Sequence, residues 1–128
     1  MRAMNYYQSA AFPLDFADDN RRVAIQSMRQ CARDYLDHRS PRGEVVMIPW
    51  PGGYPLEAYF LPPPDSGRPT PAIICIGEPG QRKEEYLYKV ARYAADRGMA
   101  LLALDLLGAG RDARFDEVVG RSDPGRTR

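Results

Sequence analysis

Apolar residues in the first third of the chain recur at helical spacing, and beyond residue 43 the pattern changes to short runs at strand spacing. From Asp19 to His38 the positions Val23, Ala24, Ile25, Met28, Cys31, Ala32, Tyr35 and Leu36 return every three or four residues, which predicts one amphipathic helix. Asp18 or Asp19 is placed to cap its start, and Pro41 prevents its continuation. Ahead of it, Met1 to Asp18 mixes Tyr6, Tyr7, Phe12 and Phe16 with Pro13 and shows no sustained period, so an irregular arm packing through its aromatics is expected. Glu44 to Ile48 and Tyr54 to Leu61 read as two strands joined at Pro51-Gly52-Gly53, a hairpin. In the second strand Leu56, Ala58 and Phe60 alternate with Glu57, Tyr59 and Leu61, which suits an antiparallel strand near a sheet edge rather than a buried central one. Pro62 to Pro71 is a connector, because its prolines supply neither ladder donors nor a helix interior.

The next stretch changes character. Ala72 to Ile76 and Met99 to Leu104 are short and continuously apolar, as strands buried on both faces require. Between them Leu87, Val90, Ala91, Ala94 and Ala95 keep helical spacing, Glu84 and Glu85 favour the helix start, and Arg97-Gly98 ends it. The three segments form a parallel βαβ crossover, expected to be right-handed, with any ligand beyond the carboxyl ends of its strands.

Composition narrows the classes without choosing among them. The chain has 128 residues, with 18 basic and 17 acidic side chains, so no overall field favours nucleic acid or an anionic membrane. No segment approaches the roughly 18 apolar residues of a membrane span, and a cytoplasmic protein is the default expectation. Cys31 and Cys75 lack metal-ligand spacing and read as small core residues; neither a metal nor a cofactor is expected. Met28 and Tyr35 read as packing residues and Trp50 as a partly buried aromatic. His38, the single histidine, falls at a helix end where a cation favours the dipole.

Two glycine loops carry the candidate chemistry. Gly108-Ala109-Gly110-Arg111-Asp112-Ala113 meets the loose G-x-G-x-x-A dinucleotide fingerprint, but Asp105 intervenes between strand and glycines and no second βαβ half follows. Gly77 and Gly80 with Lys83 suggest a phosphate loop, yet the spacing is not G-x-x-x-x-G-K and Glu84 stands where a metal-binding Ser or Thr belongs. The same loop also suits an oxyanion hole, which needs fixed backbone N–H groups beside a tetrahedral intermediate. Pro79 has no N–H, so the donor falls to the amide of Glu78, with Gly80 second. An ordinary strand-to-helix turn remains the alternative on local sequence.

The ordered set Pro71-Ala72-Ile73-Ile74-Cys75-Ile76-Gly77, Lys83-Glu84-Glu85, Asp96-Arg97-Gly98-Met99-Ala100 and Asp105-Leu106-Leu107-Gly108-Ala109-Gly110 resembles the α/β-hydrolase superfamily. The nearest branch is that of the dihydroxypseudooxynicotine hydrolase-like and fermentation-respiration-switch-like esterases. The resemblance covers about residues 19 to 110. It implies an α/β class with a partial α/β-hydrolase fold: an N-terminal arm and helix over 1–42, a hydrolase core over 43–120 with hairpin and βαβ unit, and an irregular tail over 121–128. It implies hydrolysis of an ester or carbon–carbon bond in a small-molecule ester or ketone, with Glu78 as oxyanion-hole donor. The nucleophile elbow G-x-S-x-G is absent, since Ser9, Ser27, Ser40, Ser66 and Ser122 all lack it, and His38 precedes the sheet. A truncated hydrolase, inactive alone, is therefore expected. The last strand would lack a neighbour, so self-association or complementation by a C-terminal half is expected through that open edge; a binding module using the same edge is the alternative, and a dinucleotide-binding unit the third.

Overall fold

Helical and strand segments alternate in the order α1 (Arg2–Ala11), α2 (Asp19–His38), β1 (Glu44–Ile48), β2 (Leu56–Leu61), β3 (Ala72–Gly77), α3 (Glu84–Lys89), α4 (Ala91–Asp96) and β4 (Ala100–Asp105). This computed structural model describes residues 1–15, 17–49, 55–64, 67–77 and 81–105. The strands form one sheet in the order β1-β2-β4-β3. β1 and β2 pair antiparallel with Glu44 opposite Phe60, β2 and β4 pair antiparallel with Ala58 opposite Leu104, and β3 and β4 pair parallel with Gly77 opposite Asp105. Hairpin and parallel crossover thus occur as the hydrophobic pattern requires, with the hairpin turn and Trp50 outside the described residues.

The sheet order corrects the expectation about edges. Among the described residues β4 lies inside the sheet with a partner on each side, and β1 and β3 are the edges. The cause is that β4 returns between β3 and the hairpin, so the hairpin fills the position that the sequence reading left vacant. By the same insertion β2 becomes an internal strand, with Leu56 and Ala58 buried on one face and Tyr59 and Leu61 on the other. Its mid-strand Glu57 is held by Lys83 and Arg33.

All four helices pack on one face. Met4 of α1, Met28, Ala32 and Leu36 of α2, Leu87 of α3, and Ala91 and Ala94 of α4 enclose Tyr59, Leu61 and Leu101 from the sheet, with Ile73 and Cys75 packed against them. Burial of such side chains stabilises by about 25 cal/mol per Å² of apolar surface removed from water. Leu56, Ala58 and Leu104, with Ile48 and Leu102, form a cluster of strand residues on the other face. There Ile74 and Ile76 are 61% and 47% exposed, so β3 is covered on one face only, not on both. Among the described residues no helix contributes to this second cluster.

Two helical details differ from expectation. Residues 2–11 form α1 instead of an irregular arm, and it docks through Met4 and Ala11 while Tyr6 and Phe12 stay exposed. Ala3, Met4, Tyr7, Ala10 and Ala11 recur at helical spacing, a short stripe made mostly of alanine that the irregular-arm expectation overlooked. Gln8 fixes it to α3 by donating to Glu85 and accepting from the Tyr88 hydroxyl at 2.7 Å. The helix expected over 84–97 is divided at Val90, whose φ of −120° departs from helical values, although Val90 N–H still donates to Tyr86 O. Its end is a Schellman turn: Gly98 N–H donates to Ala95 O, Met99 N–H to Ala94 O, and Gly98 has the positive φ, 65°, that this turn needs. Asp18 accepts from Asn20 N–H at the start of α2, and the His38 ring lies 2.7 Å from Asp34 O at its exposed end. Met28 is buried, Tyr35 packs on the core, and both cysteines are half-buried and free, consistent with packing roles.

Candidate functional site

The carboxyl ends of the two parallel strands meet a buried charged cluster. Asp105 closes β4, and its register partner Gly77 closes β3. Asp105 Oδ1 accepts the Lys83 backbone N–H at 2.7 Å, while Oδ2 is 3.3 Å from Lys83 Nζ. The same ammonium is 3.2 Å from Glu57 Oε1 and 3.4 Å from Glu84 Oε1, and stands 4.9 Å from the Tyr59 ring centroid. Tyr59 donates its hydroxyl to Glu84 Oε1 at 2.9 Å, and Arg33 donates to Glu57 Oε2 at 3.0 Å. Lys83 is 3% exposed and Glu84 fully buried.

The geometry follows from strand alternation. Tyr59 and, one step beyond, Glu57 project on the helix-covered face, and extending the β2–β4 register brings Glu57 beside Asp105 on that same face. Lys83 enters from the residue before α3. Gly77 leaves little room for a side chain: a Cβ would fall 2.9 Å from Asp105 Oδ1 and 3.2 Å from the Gln81 carbonyl oxygen, so one of them would have to shift. On the outer side Tyr86 donates its hydroxyl to Ile76 O at 3.0 Å and lies 3.2 Å from Gln81 Oε1.

Electrostatics assign this cluster a holding role. Burial raises the Asp105 pKa and the Lys83 ammonium opposes that shift. Burial, followed by the charges of Glu84 and Glu57, raises the Tyr59 pKa, so its phenol stays protonated and donates. An ammonium has three donors, and three carboxylates surround this one, which commits it to holding them and leaves it no part in attack on a carbonyl. Among the described residues, Glu84 Oε2 and Arg29 Nε are buried with no hydrogen-bond partner.

Glu78 and Gly80, the predicted oxyanion donors, lie outside the described residues, as does Gly108-Ala109-Gly110; their anchors Gly77, Gln81 and Lys83 are described. Among the described residues no hydrogen bond joins a serine to His38, and no His, Cys, Asp and Glu group suits a metal. Sequence reasoning missed Lys83, Glu84, Asp105, Glu57 and Tyr59 as a unit. The available signal was the charge placed inside or at the end of otherwise apolar strands, where an ionised side chain is seldom buried unpaired.

No family model matches the chain. It is 28% identical over 116 residues to the Esterase FrsA of Enterobacter sp. (strain 638) and, to the same extent, to that of Citrobacter koseri; each match covers 90% of this chain and 28% of the relative. The crystal structure of 2,6-dihydroxy-pseudo-oxynicotine hydrolase superposes with a TM-score of 0.67 at 25% identity, over 85% of this chain and 30% of that one. The chain is an α/β-hydrolase relative. AbyA5 shares the fold at TM-score 0.67 and 19% identity, over 88% of this chain and 32% of its own. This hydrolase relative therefore spans little more than a quarter of the length of the curated esterases it matches. The matched portion contains the crossover and its charged cluster. Among the described residues, no helix is long and apolar enough to cross a membrane.

Proposed function

We propose that this chain supplies the oxyanion side of a cytoplasmic α/β-hydrolase site acting on a small-molecule ester or ketone, with the Glu78 amide as donor and Gly80 as its second. The observation that carries the reading is the fixing of Gly77 and Lys83 to one residue, Asp105, at the carboxyl ends of a parallel strand pair, where α/β folds bind ligands. Likeness to an esterase and to a hydrolase supports the reaction class. In the intact site the donors face the oxygen on which charge develops as a nucleophile adds to the carbonyl. This sequence has no G-x-S-x-G and no histidine after the sheet, so the chain alone polarises without completing acyl transfer.

The test joins this chain to the portion of the Enterobacter esterase beyond its matched segment. The chain alone gives no burst and no serine acylation with an activated ester, whereas the chimera turns over. Glu78→Pro, which deletes the N–H, lowers the kcat of the chimera about 100-fold, the scale of one lost oxyanion donor. An unchanged kcat, or stoichiometric acylation of a serine in the chain alone, overturns the reading. A second reading, a binding module that self-associates through its sheet edge, is favoured by the exposed Ile74 and Ile76 on edge strand β3. Concentration-dependent light scattering that Ile74→Lys abolishes would support it.

A further inference from the structure

The helices leave one strip of their own face bare. Val45 and Met47 of β1 stand opposite Tyr59 and Glu57, which places them on the helix-covered face, yet they are 38% and 50% exposed. Between this strip and α2 runs an open groove of about 580 Å³, whose lining includes Leu36, Gly43, Val45 and the charged Arg33, Asp37 and Arg42. Among the described residues β1 is an edge strand, and its five pairs with β2 run without a bulge. Val45 to Ile48 also lacks the lysine or proline that keeps an edge from pairing with another strand. Arg33 and Asp37, one turn apart on α2, share the wall of the groove and carry opposite charges. Both keep spare capacity: among the described residues Arg33 gives Nη2 to Glu57, and Arg42 takes Asp37 Oδ1, which leaves further guanidinium N–H groups and a second carboxylate oxygen.

We propose that β1 is a docking edge for a second copy of this chain, paired antiparallel with its own β1 about a two-fold axis through Val46. This assignment stands independently of the oxyanion reading, and it names a different edge from β3. Pairing about Val46 sets Val45 of each copy opposite Met47 of the other, so the exposed apolar side chains of the two strips cover one another. The same axis turns α2 antiparallel to its copy across the seam. Gly43 N–H donates to Leu36 O, whereas Arg33 reaches Glu57, the residue opposite Met47; Val46, lying between Gly43 and Met47, is therefore level with the α2 turn between Leu36 and Arg33. The axis thus passes between Arg33 and Asp37, and Arg33 of each copy faces Asp37 of the other. One charge of each sign on either side of a two-fold axis is complementary to itself, which selects a second copy as the occupant over a peptide of single-sign charge. The two sheets become one, with the helices of both copies on the same face.

Sedimentation velocity of the whole 128-residue chain over a dilution series is expected to show a monomer–dimer equilibrium, a weak one because a single strand and one helix face from each copy take part. Amide hydrogen exchange across the same series is expected to slow in β1 as the dimer forms and to stay unchanged in β3. Met47→Lys, which sets a charge on the seam, is expected to weaken association by about tenfold or more, while Ile74→Lys leaves it as it is. Asp37→Arg and Arg33→Asp each bring like charges face to face and are expected to be monomeric when alone. Mixed, they set the arginines of one chain against the aspartates of the other, and dimer is expected to return. Should Arg33→Asp fail to fold for want of its Glu57 partner, Asp37→Arg and Met47→Lys carry the test. A chain that stays monomeric throughout the series overturns the proposal. So does a dimer that Ile74→Lys abolishes, one that Met47→Lys spares, or one whose β1 amides exchange as fast as in the monomer. The kcat of the chimera under Glu78→Pro bears on the donor assignment alone.

Discussion

The two faces of the sheet are written in nearly the same alphabet and have different fates. Ile73 and Cys75 project under the helices, while Ile74 and Ile76, their neighbours in β3, remain 61% and 47% exposed. Toward the hairpin the second face is better protected, with Ala58 and Leu104 buried, so the exposure concentrates at the β3 edge. Apolarity along a strand thus reports how many faces suit burial, whereas the crossover decides which face a helix covers. An edge strand with exposed isoleucines is a surface that a further layer or a partner can take up.

The largest expected effect tests that contrast directly. Leu101→Ala, in the centre of the covered face, is expected to cost about 2–5 kcal/mol because the helices above it close only part of the cavity. Ile74→Ala is expected to cost less than about 0.5 kcal/mol, as its side chain leaves an exposed site. Urea unfolding at a concentration where the chain is monomeric compares the two. Similar losses would mean that Ile74 is buried in solution and that the two faces do not differ.

Much of this architecture was legible because its segments are governed by local periodicity. The helix over Asp19–His38, the hairpin strands and the parallel pair were each specified by spacing, and their observed bounds agree within two residues. Strand order was not legible: whether β4 or β3 takes the edge depends on where the crossover returns, which no local pattern encodes. α1 was missed because its stripe is short and mostly alanine, and the exposed Tyr6 and Phe12 beside Pro13 obscure its period. At the site, Gly77 was read as part of a phosphate or oxyanion loop, and the Asp105 carboxylate that a Cβ there would meet was not foreseen. Lys83 was weighed as a phosphate ligand and Glu84 as a helix-start charge. Their true partners, Glu57 and Tyr59, lie more than twenty residues upstream and meet them only through the β2–β4 register.

A smaller effect distinguishes the polar end of the covered face from its apolar centre. Tyr59→Phe keeps the ring in the core and the face under the Lys83 ammonium, but takes the hydroxyl donor from Glu84 Oε1. Since Glu84 is fully buried, its oxygen regains no water, and a loss of about 1–3 kcal/mol is expected. Glu84→Gln in the Tyr59→Phe background should recover part of it, because the charge that lost its donor is also removed. Additive losses in this double-mutant cycle would show that the two groups do not act on one another.

The smallest expected effect is a slope. Burial raises the Asp105 pKa more than the facing Lys83 lowers it, and Glu84 adds to the rise, so in the folded chain Asp105 keeps its proton to higher pH than in the unfolded chain. Below the unfolded carboxyl value near about 3.9 both states are protonated and Asp105 contributes no pH dependence. As pH climbs from there through the raised folded value, the unfolded state loses the proton first and the native state loses stability relative to it; above the folded value that loss is complete. An amide in place of this carboxyl cannot ionise, so the stability of Asp105→Asn minus that of the unmodified chain is expected to grow more positive across this window and then level off. Urea midpoints of both chains, measured in parallel from about pH 3.5 to 7, give the difference. A difference that falls with pH would place the Lys83 attraction above the burial cost, and the polar end of the covered face would then gain from its charges as the apolar centre gains from its leucines.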